Sequence, residues 1–274
     1  MPSKQPVQLD PVQETLLVPL YLRAIESRRK RPILVDPKAA EIVDTIDFDF
    51  ARFGQRWRVA SCALRNAFFD AWAADFIRSH PEGTVVEIGC GLNTRFERVD
   101  NGRIHWFDLD LPDVIALRRR FFMDSERRTM LAASVVDPGW IAVVRRSPGP
   151  YFLMAETVFV YLEEQCVKAA LAHIARGIPG ARIALDTASR KAIARGNQDH
   201  ARRGLAARFA WARDDPKEIE RWDIGLRLVE SRTMADVPET LKPRLSWRGR
   251  AIFGALRRLS PGFLKAYQLS VFEA

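Results

Sequence analysis

The stretch Thr84-Val85-Val86-Glu87-Ile88-Gly89-Cys90-Gly91-Leu92-Asn93-Thr94-Arg95 constrains this chain more than any other. Strand-forming residues around Glu87 give way to two glycines separated by Cys90, and then to Thr94 and Arg95. The pattern predicts a buried strand, a tight turn and the start of a helix. Glycine at 89 and 91 permits a sharp turn and lets a ligand approach the main chain with no Cβ in its way. The helix that follows offers unpaired N–H groups in its first turn. Such a turn is either a ligand cradle or a plain strand–helix connection, and the stretch alone allows both.

The dinucleotide fingerprint G-x-G-x-x-G is the nearest template, and the chain misses its third position. Thr94 stands where the last glycine would let helix and strand close around a pyrophosphate. Glu87, two positions before Gly89, is also foreign to that fingerprint. An acid at this point suits a cationic or hydroxyl-bearing ligand instead.

At 274 residues and 47% hydrophobic, the chain is long enough to bury a full core in one domain. No apolar run approaches the roughly 20 residues that span a bilayer. Met1 to Gln13 is polar, without the basic and apolar regions of a signal peptide, so a cytoplasmic location with no membrane partner is expected. Cys62, Cys90 and Cys166 lie far apart, and no Cys or His pair has metal-ligand spacing, so no metal is expected. The formal charge of +9 raises the question of nucleic acid. Its basic runs, such as Arg28-Arg29-Lys30-Arg31 and Arg118-Arg119-Arg120, are dispersed and not interleaved with aromatics. A solvated surface, or attraction for an acidic small substrate, explains them more simply.

In chain order, residues 11 to 47 read as helical, broken at Pro32 and restarted at Asp36-Pro37. A longer helix is expected from Val59 to Ser79, with Leu64, Phe68, Trp72 and Phe76 on one face. Arg65 falls on its buried side, either snorkelling or holding a carboxylate. Strands are expected at Thr84, then from Ile104 to Phe107, Thr129 to Val136, Tyr151 to Ala155, Arg182 to Asp186, Leu226 to Glu230 and Leu269 to Phe272. Helices are expected over Asp113 to Met123, Glu163 to Arg176 and Asp215 to Trp222. Alternation at this rhythm implies an α/β fold around a mainly parallel sheet. Asp110 lies 19 residues beyond Gly91, near the spacing at which an acid meets ribose hydroxyls. Ser189 to Asp215 is too long for a plain connection and is expected to be a helical lid. One compact unit follows, with a helical cap over 1–83 and the Rossmann-like part over 84–274.

Five further pieces carry a resemblance. They are Ile33-Leu34-Val35-Asp36-Pro37-Lys38-Ala39, Leu64-Arg65-Asn66 with Asp70, and Ile88 to Arg95. Trp106-Phe107-Asp108-Leu109-Asp110-Leu111-Pro112 and Ala155-Glu156 with Tyr161-Leu162 complete the set. In this order they resemble the leucine carboxyl methyltransferase family, in particular its bacterial branch of polyketide O-methyltransferases. The resemblance implies S-adenosyl-L-methionine as methyl donor, and a class I seven-stranded sheet whose last strand is antiparallel, with helices on both faces. It implies that Arg65 holds the methionine carboxylate, with Arg23 aligned to a basic residue that some members use near it. Gly89 and Gly91 would pass under methionine and ribose, Asp110 would take the ribose hydroxyls, Ser134 and Val135 would flank adenine, and Glu156 would meet the amino group. Two departures are Asn93, where the family usually has Asp, and Thr157, where Gly is common.

The function expected is therefore O-methylation of a carboxylate or hydroxyl on a small, polyketide-like acceptor. RNA modification, protein carboxyl methylation and a non-catalytic Rossmann protein are the rivals. Asp186, His200 and Tyr161 are possible bases, but none sits in a base motif, so the catalytic residue stays unassigned. Nothing in the sequence fixes the oligomeric state.

Overall fold

The computed structural model describes residues 5–6, 14–53, 56–202 and 204–274. Part of the expected cap, residues 1–4, 7–13 and 54–55, lies outside the described residues, and so does residue 203 of the expected lid. Seven strands form one sheet: β1 (Thr84–Ile88), β2 (His105–Asp110), β3 (Arg128–Ala132), β4 (Tyr151–Ala155), β5 (Arg182–Ala188), β6 (Arg227–Thr233) and β7 (Tyr267–Glu273). Their order across the sheet is β3-β2-β1-β4-β5-β7-β6. The first five pair in parallel, and β7 runs antiparallel to both β5 and β6, as the resemblance implied.

The apolar sequence of these strands has a direct cause, because both sheet faces are covered and neither can carry unpaired polar groups. On one face α3 (Arg56–Ser79) buries Leu64, Phe68, Phe69, Ala73 and Phe76 against Val85, Trp106, Phe152 and Met154. On the other, α7 (Glu164–Gly177) buries Val167, Ala170, Leu171 and Ile174 against Val86, Ile88, Leu153 and Ile183. The period of two along β1 therefore puts Val85 and Glu87 on the α3 face and Val86 and Ile88 on the α7 face. Because α3 packs directly on the sheet, the expected cap and the Rossmann-like part share one core.

Two further helices precede α3. Helix α1 (Glu14–Ser27) contains Pro19, and α2 (Pro37–Thr45) is capped by Asp36, which accepts from the Ala39 N–H at 2.9 Å. Several expected boundaries move. The helix after β2, α5 (Pro112–Arg118), ends five residues before Met123, its last carbonyls taken up by turns through Phe122. Strand β3 stops at Ala132, so Ser134 and Val135 lie in the turn beyond it. The 189–215 segment is helical only over α8 (Arg190–Arg202); residues 205–213 then run without regular structure and return to the sheet edge, where the Trp211 N–H reaches the Val160 carbonyl. Between β6 and β7 lie two helices absent from the sequence reading, α9 (Trp247–Leu259) and α10 (Pro261–Lys265).

Gly89 and Gly91 adopt φ of +63° and +46°, the left-handed region that glycine enters without a Cβ penalty. A Cβ on Gly89 would stand 2.4 Å from Val158 Cγ2. We expect Gly89→Ala to cost about 2–4 kcal/mol, combining left-handed backbone strain with overpacking. Gly254→Ala, with nothing within 4 Å of its new Cβ, should gain about 0.5–1 kcal/mol through helix propensity. Urea unfolding of the two variants decides the matter, and equal stabilities would mean that the β1 turn relaxes freely.

Candidate functional site

The strand order reverses between β1 and β4, which opens a crevice at the carboxyl edge where neighbouring crossovers depart to opposite sides. A cavity of about 510 Å³ occupies this place. Its floor is the turn after β1, with Asp110 at the end of β2, Ser134 and Val135 after β3, and Glu156 after β4. Helix α1 supplies one wall through Leu16, Pro19 and Leu22, α3 contributes Arg65, and the 189–215 segment contributes His200, Leu205 and Phe209. All eight side chains or glycines expected to bind the cofactor line this space: Arg65, Glu87, Gly89, Gly91, Asp110, Ser134, Val135 and Glu156.

Beneath the floor, four arginines and four acids alternate in a buried chain. Arg23 Nε lies 2.9 Å from Asp36 Oδ2, which also meets Arg98 Nη1 at 3.0 Å. Arg98 Nε reaches Asp70 Oδ2 at 2.7 Å, and Asp70 Oδ1 receives Arg95 Nε at 2.7 Å. Arg95 passes on to Glu156 Oε2 at 2.5 Å and pairs with Glu87, while Arg65 Nε meets Glu156 Oε1 at 2.7 Å. Arg95 is fully buried, so its guanidinium exchanges all hydration for these three carboxylates. That exchange is tolerable only when every partner is present.

The sequence question over Arg65 is answered by this pairing, since it holds a carboxylate, that of Glu156. Asn66 Nδ2 donates to the same Oε1 at 2.9 Å. Arg65 Nη1 is left without a hydrogen bond among the described residues. Glu87 behaves differently from a free ligand group, because its Oε1 is engaged by Arg95 and the residue is buried beneath the turn. Arg23, aligned to a basic residue near the carboxylate, spends its guanidinium on Asp36 and on the Leu92 carbonyl at 2.8 Å. Asp110 Oδ2 accepts the Gly91 N–H at 2.7 Å and Oδ1 accepts that of Leu111 at 2.8 Å, tying β2 to the glycine turn.

Arg95, Arg98, Asp70 and Asp36 had no role assigned from sequence. Asp36, Asp70 and Arg95 stood in the matching motifs, but a charged residue in a motif does not reveal which distant partner it meets. Thr157 explains itself through its backbone, with φ of +57° at a β-branched residue. Asp186 holds it there, accepting the Thr157 N–H at 2.6 Å and the Tyr267 hydroxyl. That occupation removes Asp186 from the cavity lining. Tyr161, Phe209 and His200 form an aromatic wall instead, with ring centroids 5.0 Å and 4.5 Å apart along the series. His200 Nδ1 lies 2.8 Å from the Ala207 carbonyl, which can only accept, so Nδ1 carries the proton and Nε2 is the basic nitrogen.

Burial pushes the carboxyls of Asp36, Asp70 and Glu156 up, yet their arginine partners outweigh it and hold all three below the usual range. Glu87 goes the other way. Burial, helped by Asp108 and Glu156, overcomes Arg95 and raises it to about 7. Burial also pushes Asp110 up, against the two N–H groups that it accepts from.

These shifts have opposite signs in a stability profile. Native Glu87 keeps its proton to about pH 7, whereas its ordinary value is 4.5, so between the two the native state holds more protons and stability falls as pH rises. For Asp36, Asp70 and Glu156 the stabilisation is complete above the ordinary carboxylate range and is lost as pH falls through their depressed native values. We predict that Glu87→Gln flattens the decline between 4.5 and 7 while leaving the acid limb in place. Unfolding free energies of both proteins across this range test it, and a difference between them that is constant with pH would remove the assignment.

The leucine carboxyl methyltransferase family profile matches residues 17–175. The chain is 32% identical over 251 residues to the tetracenomycin polyketide synthesis O-methyltransferase TcmP of Streptomyces glaucescens, covering 89% of this chain and 91% of that protein. It is 27% identical over 253 residues to the S-adenosyl-L-methionine-dependent methyltransferase dpfgK of Gibberella zeae, covering 83% and 84%. Among solved structures, a candidate methyltransferase from Thermobifida fusca superposes with a TM-score of 0.61 over 92% of this chain and 93% of its own, at 18% identity, which speaks for the fold. The match to the profile begins in α1, takes in the charge chain from Arg23 to Glu156 and ends in α7, and with the identity to TcmP it places this chain in the leucine carboxyl methyltransferase family.

Proposed function

We propose that the protein is an S-adenosylmethionine-dependent O-methyltransferase acting on a small-molecule acceptor. The observation that carries this reading is the set of groups around one cavity. A guanidinium (Arg65), an ionised carboxylate (Glu156) and a second carboxyl (Asp110) surround a glycine turn with an open approach. This set fits a ligand that joins an amino-acid zwitterion to a sugar. Gly91 has only the Leu16 Cβ near its missing side chain, at 3.5 Å, so the main chain there faces cavity space. Arg65 would meet the ligand's carboxylate, Glu156 its ammonium, Asp110 the ribose hydroxyls, and Ser134 with Val135 the base. Glu87 contributes from below by fixing Arg95. Residues 1–83 and 84–274 act in this reading as cap and methyltransferase domain, with 189–215 as the lid.

S-adenosylmethionine supplies a sulfonium-bound methyl carbon open to in-line attack. What this chain adds is alignment and exclusion of water. Glu156 can receive an ammonium without reorganising, because Arg65, Arg95 and Asn66 already fix its orientation. The apolar wall from α1 and the lid keeps the acceptor side dry. A carboxylate acceptor arrives ionised, whereas a phenol with a pKa near 10 must lose a proton as it attacks. His200 Nε2 is the group on the acceptor side that can take it.

Two outcomes follow. Calorimetry should show S-adenosylmethionine binding and no NAD binding, and Asp110→Ala should weaken the former by roughly tenfold or more through loss of a charge-assisted pair. NAD binding with no S-adenosylmethionine binding would sink the reading. On a panel of small phenols and aromatic acids with labelled methyl donor, His200→Gln should lower turnover of phenols by about 10²–10⁴ and spare the acids. Equal effects on both classes would take the proton-acceptor role from His200.

A further inference from the structure

The segment between β6 and β7 is charged and exposed in a way that the cavity does not use. From Thr240 to Ala266 it carries Lys242, Arg244, Arg248, Arg250, Arg257, Arg258 and Lys265 and not one Asp or Glu. Helix α9 contains no buried residue. Trp247, Ile252 and Leu259 of α9 and Phe263 of α10 are exposed by 68%, 58%, 82% and 60%. The other large apolar side chains exposed among the described residues, Val35, Leu111, Met123 and Val229, are scattered through the chain.

We propose that the outer face of α9 and α10 docks on an anionic lipid surface. Helical spacing gathers Trp247, Ala251, Ala255, Ile252 and Leu259 on the side away from the protein, with Arg248 and Arg258 among them. Phe253 turns inward and packs against the sheet-face core, and Leu264 of α10 is buried, so the pair is anchored and its outer face has a fixed direction. Arg257 is tied back to Asp236 at 2.8 Å, and Lys242 pairs with Glu239. Arg248, Arg250, Arg258 and Lys265 have no carboxylate partner among the described residues. Apolar side chains with a Trp, flanked by unpaired cations, form the composition that settles in the headgroup region of an anionic bilayer.

The same features disfavour other occupants. Two copies of this face would bring like charges together. A nucleic acid would leave Ile252, Leu259 and Phe263 without apolar contact. The helix lies on a surface instead of crossing it, since no helix among the described residues is long and apolar enough to span a membrane. A spanning run would show in the sequence directly, whereas an interfacial face becomes visible only once α9 is seen unburied. Position gives the docking a use. Thr233 and Tyr267, which bound the segment, pair with Gln268 and Ala188 at the carboxyl edge of the sheet, the edge on which the cavity opens. A bilayer held there would present apolar, membrane-partitioned molecules on the acceptor side.

The test is co-sedimentation of the full chain with vesicles of phosphatidylcholine alone or mixed with phosphatidylglycerol. We expect pelleting with the mixed vesicles only, weakened by salt. Trp247→Ser with Ile252→Ser and Leu259→Ser should reduce partitioning by roughly tenfold or more, and Arg248→Gln with Arg250→Gln and Arg258→Gln should abolish the preference for phosphatidylglycerol. All six positions are exposed and outside the cavity, so unchanged S-adenosylmethionine affinity and melting temperature identify a folded protein whatever its donor chemistry. Wild type that stays in the supernatant, variants that pellet like wild type, a dimer abolished by the serine variant, or a nucleic-acid complex tighter than the vesicle complex would each overturn the proposal.

Discussion

The guanidinium of Arg95 sits where the fold can least accommodate a charge, fully buried between α3 and the carboxyl end of β1. Its cost is met by Asp70 from α3, Glu87 from β1 and Glu156 from the end of β4. Those three acids come from elements that are remote in sequence, so one cation fixes the relative position of α3, the glycine turn and the second half of the sheet. Removing the guanidinium would break the buried ion pairs that it makes with these acids, and breaking one such pair typically costs about 3–5 kcal/mol. The same interaction makes the site, because the Glu156 carboxylate held by Arg95 on one oxygen is held by Arg65 and Asn66 on the other.

This arrangement separates two tasks that a sequence motif runs together. Asp110, Glu156 and Arg65 face the cavity with capacity left to meet a ligand. Asp70 and Arg98 stand behind them, outside the lining, while Glu87 lines the cavity with its Oε1 engaged by Arg95. Glu87, raised to about 7, shows how finely burial and charge are balanced, because desolvation there outweighs the pull of Arg95. Thr157 is a third kind of support. Its left-handed backbone is held by Asp186 and Tyr267 rather than by the ligand groups, so the turn after β4 has its shape before anything binds.

Much of the architecture was readable in the chain. β4 runs from Tyr151 to Ala155 as expected, because its apolar run is bounded by Pro150 and Glu156, and α7 differs by one residue at each end. The lid was harder. Residues 189–215 have helical composition throughout, yet residues 205–213 carry no regular structure, and Trp211 there is buried between Phe159 and Trp222. Tertiary packing overrides propensity there. Helices α9 and α10 escaped the sequence reading because their outer face mixes cations with apolar residues and gives no clean core stripe.

Composition and spacing by themselves determined the class of fold, the place of the glycine turn and the identity of the acids at the strand ends. They could do so because strand period, turn chemistry and helix caps are local properties, set by residues a few positions apart. How many arginines each acid meets was decided only by the tertiary structure. Glu87 is buried near the end of β1, and Glu156 is partly buried just beyond the neighbouring parallel β4. What distinguishes them is the count of cations within hydrogen-bond reach, and those cations come from α3 and α4 (Arg95–Val99), positions that no spacing rule relates to either strand.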